Sequence, residues 1–165
     1  KLYEYYMLSI PLDREELLPK SVIMYFGFKN NMDYIHIAYL YAIMGHPRKT
    51  ETLVRRIMNE LYTDQPAGLC GNEDVGQMSA WYILSALGFY QVEPCGGRYV
   101  IGSPIVREAT LNVGNGRTLN IRVHNAGPKN THVKRALLNG RPIKDGILLH
   151  SDIVNGGTLD FYMSK

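Results

Sequence analysis

Apolar residues recur at helical spacing along the first part of the chain and at alternating spacing along the last part. The change of texture falls near residue 90. Residues 36–45, HIAYLYAIMG, predict a helix closed by Gly45, with Pro47 just beyond. Residues 50–62 predict a second helix, with Leu53, Val54, Ile57, Met58 and Leu61 on one face. Arg55, Arg56, Asn59 and Glu60 lie on its other face. The short connection predicts antiparallel neighbours. A third helix is predicted over residues 74–87, ended by Gly88. Val75, Met78, Ala80, Trp81, Tyr82, Ile83, Leu84, Ala86 and Leu87 leave it no polar face, the pattern of a buried helix. Three short helices cannot surround it, so its partners are expected in further protein.

The remainder predicts short strands. Residues 99–101 form one, ahead of Gly102-Ser103-Pro104. Residues 109–113 and 119–123 flank Gly114-Asn115-Gly116, a hairpin signal. Residues 136–138 and 141–143 flank Asn139-Gly140, a second hairpin signal. Gly156-Gly157 precedes a last strand at 159–163. The expected architecture is α+β, with residues 1–92 helical and residues 93–165 an antiparallel sheet or half-sandwich.

Composition narrows the function. The chain has 165 residues, 45% of them hydrophobic and 20% charged, as a protein with a real core requires. A net charge of +3, without a basic stripe, argues against nucleic acid. The pair Arg55-Arg56 shares its helix with Glu51 and Glu60 and reads as a solvated face. No apolar run approaches the roughly 20 residues of a membrane span. Cys70 and Cys95 are too few for a disulfide scaffold or a zinc site and are expected as small buried thiols, with a bridge between them left open.

The segment GLCGNEDVGQ, residues 68–77, is the richest in chemistry. Its glycines let the backbone approach a ligand closely. Glu73 and Asp74 sit where a loop enters an apolar helix, a setting in which charge needs a partner. That partner is a cation, the helix amino terminus, or solvent in a cleft. Acids at a helix start are also ordinary caps, and spacing alone does not choose between these. Gln77 lies one turn beyond Glu73 and reads either as a cleft residue or as a surface amide. Trp81 offers a sugar-stacking surface in principle, but on a helix this apolar it reads first as core.

The segment GLCGNEDVGQMSAWYILSALGFYQV, residues 68–92, resembles the hallmark segment of glycoside hydrolase family 92, the calcium-dependent α-mannosidases. YVIGSP at 99–104, IAYLY at 37–41 with GHPRKT at 45–50, NGRP at 139–142 and GGTL at 156–159 continue the resemblance in order. It implies the carboxy-terminal helices of an (α/α)6 toroid followed by the closing strands, and a parent enzyme that removes α-linked mannose from glycan ends with inversion. In such an enzyme a carboxylic acid protonates the leaving oxygen while a second carboxylate activates water, roughly 6.5–9.5 Å away.

The resemblance assigns the base to Asp74, with Asn72 orienting the water. It puts Glu73 near the calcium shell, and Gln77 and Asn31 at the sugar. It further implies mannose-containing glycans as substrate, calcium as cofactor, a missing amino-terminal part of the parent chain as partner, and an extracellular or periplasmic setting. The family's general acid lies upstream of everything matched here, so the isolated chain is expected to be inactive. Residues 29–33, KNNMD, depart from the family's usual His-Gly-Asn-Glu-Pro, with Asn31 alone in agreement and Met32 replacing a glutamate. That departure keeps open a second reading, a non-catalytic carbohydrate-binding or scaffold relative.

Overall fold

The computed structural model describes residues 35–69, 73–93 and 95–165. Helix α1 spans Ile37–Ile43 and α2 spans Pro47–Glu60. Pro47 starts α2 three residues before the predicted start, because its fixed φ and missing N–H suit the first helical position. Thr50 ties the two helices together. Its hydroxyl donates to the Ala38 carbonyl at 2.7 Å and accepts the Ala42 N–H at 2.9 Å. A single 3-10 turn, Asp74–Gly76, leads into α3, Gln77–Leu87. At the end of α3, the Gly88 N–H closes on the carbonyls of Leu84 and Ser85.

Strand β1 (Phe89–Gln91), β2 (Arg98–Ile101) and β7 (Ile147–Leu149) make a three-stranded antiparallel sheet in the order β1-β2-β7. The larger sheet joins β3 (Glu108–Gly114), β4 (Arg117–His124), β5 (His132–Leu138), β6 (Arg141–Pro142) and β8 (Gly157–Ser164) in the order β3-β4-β8-β5-β6. Both hairpins stand where the sequence places them. Asn115 and Gly116 turn β3 into β4, and Asn139 and Gly140 turn β5 into β6, each residue at positive φ as a two-residue hairpin loop requires.

The larger sheet is mixed, not purely antiparallel. β8 inserts beside β4 in parallel, from Leu119 opposite Gly157 to His124 opposite Tyr162. A helix the sequence reading did not anticipate, α4 (His150–Asn155), lies between β7 and β8 and reverses the chain for that crossover.

Two apolar cores result. Tyr39, Tyr41, Val54, Ile57, Met58, Met78 and Trp81 fill the helical one. Leu119, Ile121, Val123, Leu159, Phe161 and Met163 alternate inward from β4 and β8 to fill the second. Three local expectations are corrected. Arg55 is buried rather than solvated, because it reaches into the β segment, where its guanidinium donates to Ser103 Oγ and the Pro104 carbonyl. Arg56 does keep the solvated face and pairs with Glu60 at 2.8 Å. Cys95 is exposed rather than buried, in the turn before β2; Cys70 lies outside the described residues. Finally, α3 buries Met78, Trp81, Ala86 and Leu87 but exposes Ala80 and Ile83, since no described residue covers that side.

Candidate active site

The loop entering α3 brings Glu73 and Asp74 to the surface, both exposed. Asp74 opens the 3-10 turn, so it stands ahead of the regular helix and not within it. Val75 (φ 48) and Gly76 (φ 76) are both left-handed, and this pair redirects the chain into α3. Glycine takes that conformation freely; a β-branched residue pays about 1–2 kcal/mol for it. The Val75 side chain is fully exposed, so no packing among the described residues offsets that cost.

Gly76 occupies the N-cap position and has no side chain to cap with. Glu73 caps in its place. The Ser79 N–H is shared between its two carboxylate oxygens, at 3.2 and 3.1 Å, and the Ser79 hydroxyl donates to Oε2 at 2.9 Å. Ser79 is the third residue of α3, one of those whose N–H has no partner within the helix. The sequence reading missed Ser79. Its signal was a small hydroxyl in the first turn of an otherwise apolar helix.

Gln77 turns toward the helical core, where its side chain hydrogen-bonds the Tyr90 hydroxyl. Burial raises the Tyr90 pKa, and the Gln77 bond lowers it in part. Tyr90 belongs to an aromatic cluster behind the carboxylate loop. Trp81 stacks on Tyr62 with centroids 5.9 Å apart and meets the edge of Tyr39 at 6.4 Å. Trp81 is wholly buried, as expected of a core residue, and so offers no face to a sugar. Its indole N–H has no hydrogen-bond partner among the described residues. The structure thus brings Glu73, Asp74 and Gln77 to one end of α3, with Asp74 outward and Gln77 inward. Asn72 and Asn31 lie outside the described residues.

Calcium takes six to eight oxygen ligands, carboxylates prominent among them. Among the described residues, no grouping of three or more His, Cys, Asp or Glu side chains is placed to hold a metal ion. Both Glu73 oxygens already accept from Ser79. The described residues therefore do not assemble a calcium site. A cavity of about 610 Å³ opens elsewhere, between the α1–α2 turn, β2 and the β5–β6 hairpin, and none of Glu73, Asp74 or Gln77 lines it. Among the described residues, no helix is long and apolar enough to cross a membrane.

Comparison with known proteins bears on this arrangement. The chain matches the model of the glycosyl hydrolase family 92 catalytic domain over residues 16–165. It is 38% identical to the solved GH92 α-mannosidase BT3965 of Bacteroides thetaiotaomicron, with a TM-score of 0.77, covering 82% of this chain and 18% of that one. It is 35% identical to the GH92 inverting mannosidase BT2199 of Bacteroides thetaiotaomicron VPI-5482, with a TM-score of 0.76, covering 88% of this chain and 20% of that one. An uncharacterized secreted glycosidase of Arthroderma benhamiae is 26% identical over 155 residues, 92% of this chain and 20% of that protein. The chain belongs to glycosyl hydrolase family 92, as a carboxy-terminal portion of its catalytic domain. It spans about a fifth of the length of these relatives.

Proposed function

We propose that the full-length protein is an inverting exo-α-mannosidase acting on α-linked mannose, α-1,2 linkages foremost, and that this chain contributes its general base, Asp74. The observation that carries the reading is the exposed carboxylate of Asp74 at the head of an apolar helix, in a chain whose relatives include a named inverting mannosidase.

In this reading a water molecule gives its proton to the Asp74 carboxylate as its oxygen attacks the anomeric carbon. The bond to the leaving oxygen breaks on the opposite face, and a carboxylic acid from the rest of the catalytic domain protonates that oxygen. Asn72 orients the water and Asn31 contacts the sugar. Calcium dependence belongs to the same reading, with the ion's oxygen ligands supplied from beyond the described residues.

Asp74→Asn in the full-length protein tests the base. The substitution keeps size and removes basicity, so hydrolysis of α-1,2-mannobiose is expected to fall at least about a hundredfold with the fold intact. Activity within about threefold of wild type would remove Asp74 from the role. The alternative, a carbohydrate-binding relative without catalysis, is favoured by the KNNMD sequence at residues 29–33. It predicts mannoside binding with no turnover in either form.

A further inference from the structure

We propose that Glu73 is a positioning residue, which fixes the direction of Asp74 through the start of α3, and that it is not a ligand of calcium. This rests on the reading of Asp74 as the base.

The first N–H groups of a helix need acceptors from outside it. Gly76, at the N-cap, can supply none from a side chain. The Glu73 carboxylate supplies one from three residues upstream, and the Ser79 hydroxyl strengthens the joint. These bonds span Asp74, Val75 and Gly76 and pin both ends of the turn. Inside the span stands Val75, left-handed and β-branched, with its side chain in solvent. Its conformation is strained for a residue with a branched β-carbon and has no packing among the described residues to hold it. The brace from residue 73 to residue 79 closes over the turn, outside the Gln77 N–H bond to the Asp74 carbonyl. Asp74 lies within the braced span, so releasing the brace lets Val75 relax and swings the carboxylate. A catalytic group needs placement to within about 0.5 Å.

The same contacts argue against a metal role. Glu73 already has partners for both oxygens, and the positive end of the α3 dipole stabilises its charge, as a cation otherwise would.

The test uses the full-length protein with Glu73→Gln, Ser79→Ala and the double variant. It measures kcat and KM on α-1,2-mannobiose and calcium affinity by isothermal titration. Glu73→Gln is expected to lower kcat about tenfold or more, since small misplacement of a reacting group is costly. KM and calcium affinity stay within about twofold of wild type, a split that a loss of folded protein would not give. The double variant is no worse than Glu73→Gln, because both changes act on the same bonds. Glu73→Asp, which keeps the charge and shortens the reach, carries the same test if Glu73→Gln fails to fold. Calcium affinity weakened about tenfold or more would make Glu73 a ligand and overturn the proposal. An unchanged kcat would overturn it as well. The base assignment fails separately, through an active Asp74→Asn.

Discussion

Glu51 on α2 and His132 at the head of β5 hydrogen-bond at 2.9 Å across 81 residues of sequence. One turn along α2, Arg55 donates to Ser103 Oγ at 3.0 Å and to the Pro104 carbonyl at 2.5 Å. Ser103 in turn donates to the Thr131 carbonyl at 2.5 Å. Glu51, Arg55 and Ser103 are all buried. This polar seam docks the helices that present Asp74 onto the strands that follow them. Burial raises the pKa of Glu51, and the His132 bond, the Val133 N–H and the charge of Arg48 offset that only in part.

The seam has a pH signature. A carboxyl whose folded pKa is raised contributes stability that is full below its unfolded value and is lost as pH rises through the folded value. For Glu51 the loss begins above about pH 4.5, the ordinary value, and continues upward. Glu51→Gln keeps an acceptor for His132 and cannot ionise. The stability of wild type relative to Glu51→Gln is therefore expected to fall as pH rises from 4 toward neutrality, measured by urea unfolding. A difference that stays flat or grows with pH would contradict it. Glu51→Ala removes the partner altogether and is expected to cost roughly 1.5–3 kcal/mol.

Chelation tests the cation. EDTA is expected to suppress mannoside hydrolysis by the full-length protein, and added calcium to restore it. Activity indifferent to chelator would mean that the cation site has been lost along with the glutamate that Met32 replaces.

The isolated chain is expected to be inactive on α-1,2-mannobiose. Inversion needs two carboxyl groups roughly 6.5–9.5 Å apart, one on each side of the sugar. Beside Asp74, the described residues offer Glu73, and its oxygens are engaged by Ser79. Turnover by the isolated chain, with the full-length protein as control, would reveal an acid unaccounted for here.

Local rules made part of this legible in the sequence. Gly45 and Gly88 close helices at the predicted places, and Asn115-Gly116 and Asn139-Gly140 turn the predicted hairpins. Long-range contacts escaped. Arg55 looked solvated because periodicity describes one helix and says nothing of the strand beside it. The parallel β4–β8 pairing joins residues about forty apart, and α4 is too short to show a period. At the candidate site, the two carboxylates were found by their types, but not the division between them. Glu73 caps and Asp74 faces solvent because of a left-handed turn at Val75, a residue type that gives no hint of one.

The helical core and the strands meet at one tight contact. A β-carbon added at Gly102 would stand 2.8 Å from Tyr39 Oη and 3.0 Å from its Cε1. Tyr39 cannot yield easily. Its ring is wholly buried, it packs on Tyr90 at 5.2 Å and on Trp81, and its hydroxyl donates to Ser85 Oγ at 2.8 Å. The backbone of residue 102 is held as well, since its N–H donates to the Gly88 carbonyl at 2.9 Å. Gly102→Ala must therefore shift the ring or the strand end, and overpacking of this kind costs about 1–3 kcal/mol. Breaking the Tyr39–Ser85 bond would add about 1 kcal/mol. Tyr39→Phe alone keeps the ring and removes the oxygen nearest the added methyl. In that background the cost of Gly102→Ala is expected to shrink by about half or more. An equal cost in both backgrounds, by urea unfolding, would show that the methyl group is resisted by something other than Tyr39.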